Sequence, residues 1–355
     1  MSSLREYEEL LNRVKIEENG AILLGKNIVV DGFAKRPYRV ITHVHMDHVL
    51  GIEESIFVSR KIIGNPITLE LIEALGYVPS QYLTIYRNKK LPLDYNTPYR
   101  VDNERIMLIP SDHIPGSAQV FVENDHVRLG YTGDFKLNEK TQVMRDLDVL
   151  VIEATYGNPR HRRPFKSLVP DIFVDLVKEG LSNYDKIYIY GYYGKIQEAM
   201  MILRSSGINV DFIVPEKIYN MTKILEKYGY RIGNYYKEKD HKANKSEKII
   251  VFKHFCNAKY RKLSGDSLHV VLSGREFNEP LRKIDEYTYL VALSDHADFS
   301  ELIEYIDISS PAIVVIDGYR STDPWGLRDH LLKKGVCSVV MPSINPLNDI
   351  KRCVS

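Results

Sequence analysis

The stretch ITHVHMDHVLGI, residues 41 to 52, sets His43, His45, Asp47 and His48 within six positions, directly after an apolar run. In an extended segment, side chains two apart share a face, so His43 and His45 can grip one ion. If the chain then turns into a loop or a helix start, Asp47 and His48 can reach a second ion. Neutral imidazole and carboxylate are good ligands for zinc and similar transition ions. Two such ions about 3.5–4 Å apart stabilise the attacking and leaving oxygens of phosphoester cleavage. A lone histidine is ordinarily a surface or hydrogen-bonded residue, but four ligand types in six positions are not explained that way. Two further stretches bring ligands to strand ends: LIPSDHIPGSAQV places His113 in a Gly/Pro loop, and VRLGYTGDFK places Asp134 at a Gly turn.

The elements that must position these residues follow from apolar spacing. AILLGKNIVVDG, YRVITHVH, RIMLIPSDH, SAQVFVEN, HVRLGYTGD and DVLVIEATYG read as strands, rich in β-branched residues and punctuated by glycine. NPITLELIEALGY reads as a helix, with Asn65 as cap, Pro66 at the first position and Gly76 past the end. From about 156 the texture becomes alternating helix and strand, the rhythm of a small α/β unit with a parallel sheet. VPDIFVDLVKEGL, KIQEAMMILRSSG and KIYNMTKILEKYGY are its helices; DKIYIYGYYG, VDFIVP, EKIIVFKH and SLHVVLSG are its strands. KEKDHKANKSEK, residues 237–248, is a charged loop. Beyond 287 the strand–helix pattern continues through YTYLVALSDHAD, FSELIEYID, PAIVVIDGY, WGLRDHLLKKG and VCSVVMP.

Bulk properties set limits. The 355 residues, 44% hydrophobic and 27% charged, are ordinary for a globular protein of two domains, or of one with an insertion. No apolar run approaches the ~18 residues of a membrane span. The charged, helix-like N-terminus lacks a signal-peptide core, so a cytoplasmic protein is expected. Cys256, Cys337 and Cys353 are few and widely spaced, which fits buried or incidental thiols better than a disulfide framework or a thiolate zinc site. The net charge of +1 conceals an asymmetry: Tyr156–Asp285 holds 24 Lys and Arg against 15 Asp and Glu. Such a region faces an anionic partner or is a solvated lysine surface.

HVHMDH, His113 in DHIPGSA, and Asp134 in YTGDF resemble the successive metal motifs of the metallo-β-lactamase superfamily. LDVLVIEATYG, YGYYGKIQEAM and VALSDHADFSELIEYI resemble stretches of its β-CASP nuclease branch. The resemblance runs from about residue 20 to 335. Within that branch it points to the group called ligase-associated DNA exonuclease or messenger-RNA 3′-end processing factor-like. The Artemis nucleases and RNase J are more distant. The resemblance implies an α/β fold: an αββα sandwich with an inserted small β-CASP-like α/β domain. Residues 1–157 and 288–355 would form the sandwich, and 158–287 the basic insertion. It implies two divalent ions, zinc or alternatively manganese. His43, His45 and His113 would hold one, Asp47 and His48 the other, with Asp134 bridging.

The same resemblance implies a nuclease, a DNA exonuclease favoured over an RNA-processing enzyme, with a catalytically inactive nucleic-acid-binding module as the remaining alternative; partners in DNA repair or RNA processing follow, no membrane role is expected, and a homodimer is among the open assemblies. Asp47 would ligate and orient the attacking water. His296 would contact the scissile phosphate and protonate the leaving group; its bland alternative is a helix-start histidine packing on Asp298. Glu153 would orient a metal-site histidine or merely cap a turn. Many RNA-acting relatives carry a histidine where VVIDGY places Asp317. That carboxylate replaces it at the second metal or points away. Gly194 and Lys195 at a helix start, and Ser273, Gly274 and Arg275 after a strand, are candidate phosphate contacts. Arg160, Arg162, Arg163 and Lys166 would track a backbone or form a solvated basic loop.

Overall fold

The structure, a computed structural model, describes residues 4–124, 126–240, 246–258, 265–343 and 346. Residues 241–245 of the expected charged loop, and Cys353, lie outside the described residues. The chain divides into two compact units. One runs to Arg162 and resumes at His296; the other is Arg163–Asp295. The boundaries expected after 157 and 287 therefore fall after 162 and 295. The second shift has a clear cause: strand Thr288–Val291 is hydrogen-bonded into the sheet of the second unit.

The first unit is a sandwich of two sheets. One has the order Val14–Ile16, Ile22–Leu24, Ile28–Val30, Tyr38–Val40, Lys61–Gly64, Lys90–Pro92. The other has the order Ser338–Met341, Ile313–Asp317, Val149–Ile152, Arg128–Tyr131, Ala118–Glu123, Glu104–Pro110, Tyr99–Val101. The period of two explains the layering. Val149 and Val151 join the core between the sheets, while Leu150 and Ile152 face the other way, among side chains of helices Phe299–Ser309 and Pro324–Lys333. This strand is buried on both faces and accordingly reads as an unbroken apolar run. The helix expected from NPITLELIEALGY is Pro66–Ala74, with the Asn65 side chain accepting from the Ile67 amide at 3.0 Å. Helices Ile52–Val58 and Leu83–Lys89 were not expected; β-branched and aromatic residues masked their period.

Parallel pairing aligns strand ends. Strands Ile28–Val30 and Tyr38–Val40 run parallel in one sheet; Arg128–Tyr131, Val149–Ile152 and Ile313–Asp317 run parallel in the other. Asp31, Thr42, Asp134, Glu153 and Asp317 thus all stand at carboxyl ends of strands.

The second unit is a seven-stranded sheet in the order Tyr235–Lys237, Asp211–Val214, Ile249–His254, Lys186–Gly191, Leu268–Leu272, Thr288–Val291, Leu281–Lys283. All but the last pairing are parallel. Helices Val169–Asn183, Lys195–Ser205 and Glu216–Lys227 share one core with Ile187, Ile189, Phe212, Phe252 and Val270. Among the described residues no helix is long and apolar enough to cross a membrane. Among the described residues, Cys256 is an exposed free thiol and Cys337 is buried.

Candidate metal centre

His43 is fully buried just beyond strand Tyr38–Val40, and His45 follows it in extended conformation (φ −66°, ψ 145°). His43 Nε2 lies 3.1 Å from His45 Nδ1, so the shared face expected from the strand period is realised. His113 Nε2 is 3.0 Å from the same His45 Nδ1. Asp134 Oδ2 lies 3.5 Å from His43 Nε2 and 3.7 Å from His113 Nε2. All four atoms fall within 4.8 Å of one another. A tetrahedral ion with bonds of about 2.0–2.1 Å holds its ligand atoms about 3.3 Å apart, so the spacing fits a zinc-like cation.

A single-turn helix, Met46–Val49, carries Asp47 and His48. His48 Nε2 is buried and has no hydrogen-bond partner, yet it lies 3.2 Å from Asp134 Oδ2 and 3.4 Å from Asp47 Oδ2. A buried ring nitrogen without a partner is costly unless something electrophilic meets it. Its position beside two carboxylate oxygens fits a second cation. Asp134 Oδ2 belongs to both groups.

The orientation of these rings comes from a residue that the sequence reading missed. Asp31, fully buried at the end of strand Ile28–Val30, accepts a hydrogen bond from His48 Nδ1 at 2.6 Å. It also accepts from the Thr42 hydroxyl at 2.8 Å and the Thr42 amide at 3.0 Å. Thr42 Oγ1, having given its proton to Asp31, accepts from His43 Nδ1 at 3.0 Å. A carboxylate can only accept, so this chain sets a proton on Nδ1 of His43 and of His48 and turns Nε2 of each toward the cluster. Asp-Gly at 31–32 was the only signal in the sequence, and it reads as an ordinary turn. Arg39, also fully buried, braces the backbone: it donates to the carbonyls of His48 and Leu50, both at 3.1 Å, and to Ser55 Oγ at 3.0 Å.

Charge follows geometry. Burial and the neighbouring His48 and His113 push His43 well below the usual histidine range. Burial opposes charge on His48, but Asp134, Asp47 and Asp31 outweigh it and hold its pKa well above the ordinary value. Burial works against the Asp134 carboxylate, yet His48, His296 and His43 keep it well below the usual range. Asp47 is lowered too, with His48 overcoming its desolvation. Its side chain is 53% exposed and is the open member of the set.

His296 stands just before helix Phe299–Ser309, with its ring centroid 4.8 Å from that of His113. Its Nδ1 lies 3.1 Å from Glu153 Oε2 and 3.9 Å from Asp134 Oδ2. Glu153 Oε1 accepts from the Phe135 amide at 2.8 Å, which fixes the carboxylate against His296. Asp298 caps the helix through the amides of Ser300 and Glu301.

Asp317 is fully buried, and its oxygens are taken up locally. Oδ2 accepts from Arg320 Nη1 at 2.9 Å, and Oδ1 from the Tyr319 amide, also at 2.9 Å. Of the two alternatives left by the sequence, the structure turns this carboxylate to Arg320. Arg320 in turn donates to the carbonyls of Gly20 at 2.9 Å and Asp47 at 3.1 Å. Its buried Nε, 3.8 Å from Asp47 Oδ2, has no hydrogen-bond partner.

Several expected phosphate contacts are occupied elsewhere. Lys195 is buried and pairs with Asp295 at 2.9 Å. The Gly194 amide donates to Gln197 Oε1 at 2.9 Å. Arg163 is buried and donates to the Gly274 carbonyl at 2.6 Å. The Ser273 hydroxyl accepts from the Arg275 amide. Arg162 lies over the Phe299 ring at 4.9 Å and donates to Ser300 Oγ. Arg160, Arg275 and Lys166 are exposed.

No family model matches the chain. An uncharacterised protein in the lig 3′ region of Acidianus ambivalens is 44% identical over 138 residues, 39% of this chain and 98% of that protein. RNase aCSPSF2 of Saccharolobus solfataricus is 25% identical, covering 75% of this chain and 65% of its own. The 5′ exonuclease Apollo of Gallus gallus is 22% identical, covering 84% of this chain and 63% of its own. The chain thus spans less than two thirds of the length of these two nucleases. A crystal structure of an Enterococcus faecalis protein of unknown function shares the fold, with TM-score 0.56 and 16% identity over 82% of this chain and 76% of that one. With nucleases aligned along most of its length and a histidine–aspartate cluster at the strand ends of its sandwich, the chain belongs to the metallo-β-lactamase/β-CASP nuclease family.

Proposed function

We propose that this chain is a metal-dependent nuclease that hydrolyses phosphodiester bonds at the cluster around Asp134. The observation that carries this reading is the convergence of His43, His45, His113 and Asp134, with the unpartnered His48 Nε2 on the other side of the same Asp134 oxygen. His43, His45 and His113 would hold one ion, Asp47 and His48 the second, and Asp134 both. Zinc suits this nitrogen-rich set best, and manganese is the alternative. When bound, such ions lower the pKa of a coordinated water and neutralise phosphoryl charge.

The side chains do the rest. Asp47, exposed and ionised, would orient the attacking water. Asp31 and Thr42 keep His43 and His48 in the tautomers that leave Nε2 available. Glu153 holds His296 through Nδ1, so that its other nitrogen gives a proton to the leaving oxygen.

DNA is the favoured substrate, cut from an end. Asp317 stands where many RNA-acting relatives carry histidine, and its carboxylate serves Arg320. RNA is the second reading, supported by the similarity to RNase aCSPSF2 over 75% of the chain. DNA and RNA of one sequence, single- and double-stranded and labelled at either end, are incubated with protein and zinc or manganese. The expected result is stepwise shortening of DNA that is abolished in Asp47→Ala. Cleavage of neither polymer, or cleavage that survives Asp47→Ala, would overturn the reading.

A further inference from the structure

We infer that Tyr192 and Phe255 form a stacking platform for the bases of single-stranded nucleic acid on the second unit; this rests on the nuclease reading above. Strands Lys186–Gly191 and Ile249–His254 are parallel neighbours, with Gly191 in register with His254. Tyr192 and Phe255 are the next residues along each. Adjacent strands lie about 4.8 Å apart, and the two rings stack at a centroid distance of 4.8 Å and an interplanar angle of 18°. The sheet spacing thus sets the ring spacing.

The same register builds a covered counterpart deeper in the sheet. Tyr188 is paired with His269, and their rings stack at 5.1 Å and 5°. There Tyr190 closes the group through its hydroxyl, 3.0 Å from His269 Nδ1. At the strand ends, by contrast, Tyr192 remains 43% exposed.

The rings are ordered before any ligand arrives. His254 meets the Tyr192 ring edge-on at 5.4 Å. Its side chain accepts from the Cys256 amide and so caps the turn Phe255–Asn257. Pre-ordered aromatic faces bind with little entropic loss, and every base offers a π-face to them.

The location also favours a ligand. The chain leaving Lys186–Gly191 goes to Asp211–Val214 on one side, while that leaving Ile249–His254 goes to Leu268–Leu272 on the other. Both rings thus stand at the carboxyl ends of parallel strands, the edge at which open α/β sheets bind ligands. Residues 163–295 hold 22 Lys and Arg against 17 Asp and Glu, which suits a polyanion. Specific base edges are not read by such a surface, so the platform is sequence-tolerant.

The test is fluorescence anisotropy with a labelled oligothymidylate whose phosphorothioate backbone resists hydrolysis, and with an abasic strand of the same backbone. For the full chain, Tyr192→Ala and Phe255→Ala are each expected to weaken oligothymidylate binding about 10-fold, as loss of one stacked base does. Tyr192→Phe, which keeps the ring and safeguards folding, retains wild-type affinity. Abasic-strand binding is indifferent to all three variants. Unchanged oligothymidylate affinity in both alanine variants, or an equal loss on the abasic strand, overturns the platform alone. Wild-type protein that binds neither strand overturns the nuclease reading and the platform with it.

Discussion

Asp317 and Arg320 form a buried ion pair at 2.9 Å, and the arginine spans from it to the backbone carbonyl of Asp47. Their side chains are 1% and 4% exposed. A permanent cation therefore stands behind Asp47, and the carboxylate of Asp317 is its anchor. Removing one partner of such a pair strands the other's charge. Arg320→Ala is expected to cost about 3–5 kcal/mol in urea unfolding, while Asp317→Asn with Arg320→Met recovers much of it. Asp317→Asn alone should leave the ions bound per chain unchanged by elemental analysis; loss of one equivalent would make Asp317 a ligand.

In the proposed centre Asp31 would act on a bound ion only through His48 and Thr42. Asp31→Asn offers His48 Nδ1 an amide that can rotate to donate, which frees the ring to take the wrong tautomer. Metal affinity should fall about 10–100-fold in chelator competition, with far-UV circular dichroism unchanged. Unaltered affinity would show that strand geometry alone orients the ring.

His296 and Glu153 should separate binding from chemistry. His296→Ala is expected to lower the single-turnover rate about 10²–10⁴-fold while metal content stays at the wild-type value. Glu153→Gln should fall between the two, because the ring is still held but loses its carboxylate. A drop in bound metal in either variant would move these residues into the ligand set.

Lys195 is a test of what the sequence pattern could not distinguish. A lysine at a helix start reads as a phosphate contact, but here it is buried against Asp295. Lys195→Ala should therefore act on stability, by about 3–5 kcal/mol, and leave the salt dependence of nucleic-acid binding untouched. A shallower slope of affinity against salt would return it to the phosphate.

Ion binding should stabilise the chain. At a free zinc concentration 100 times the dissociation constant, the gain is about 2.7 kcal/mol. A chelator titration followed by differential scanning fluorimetry reads this as a fall in Tm of several degrees, absent in His43→Ala with His113→Ala.

How much of this was legible depended on range. His43 and His45 could be paired from the strand period, and Asn65, Pro66 and Gly76 framed a helix, because those signals are local. Asp31, Thr42, Arg39 and Arg320 carry no local signature. Their roles arise where strand ends far apart in sequence meet, as Asp31 meets His48 and Arg320 meets Asp47. Gly194, Lys195 and Arg163 show the opposite limit: each reads as available in the sequence, and each has a neighbouring partner in the fold.

The candidate ligands are divided between the two sheets of the sandwich. His43, His45 and His48 follow a strand of one; His113 and Asp134 follow strands of the other. Neither half can assemble the centre by itself. A nascent or partly unfolded chain, with one sheet made and the other open, holds at most half of a coordination shell. On the proposed reading, hydrolysis would therefore await completed folding.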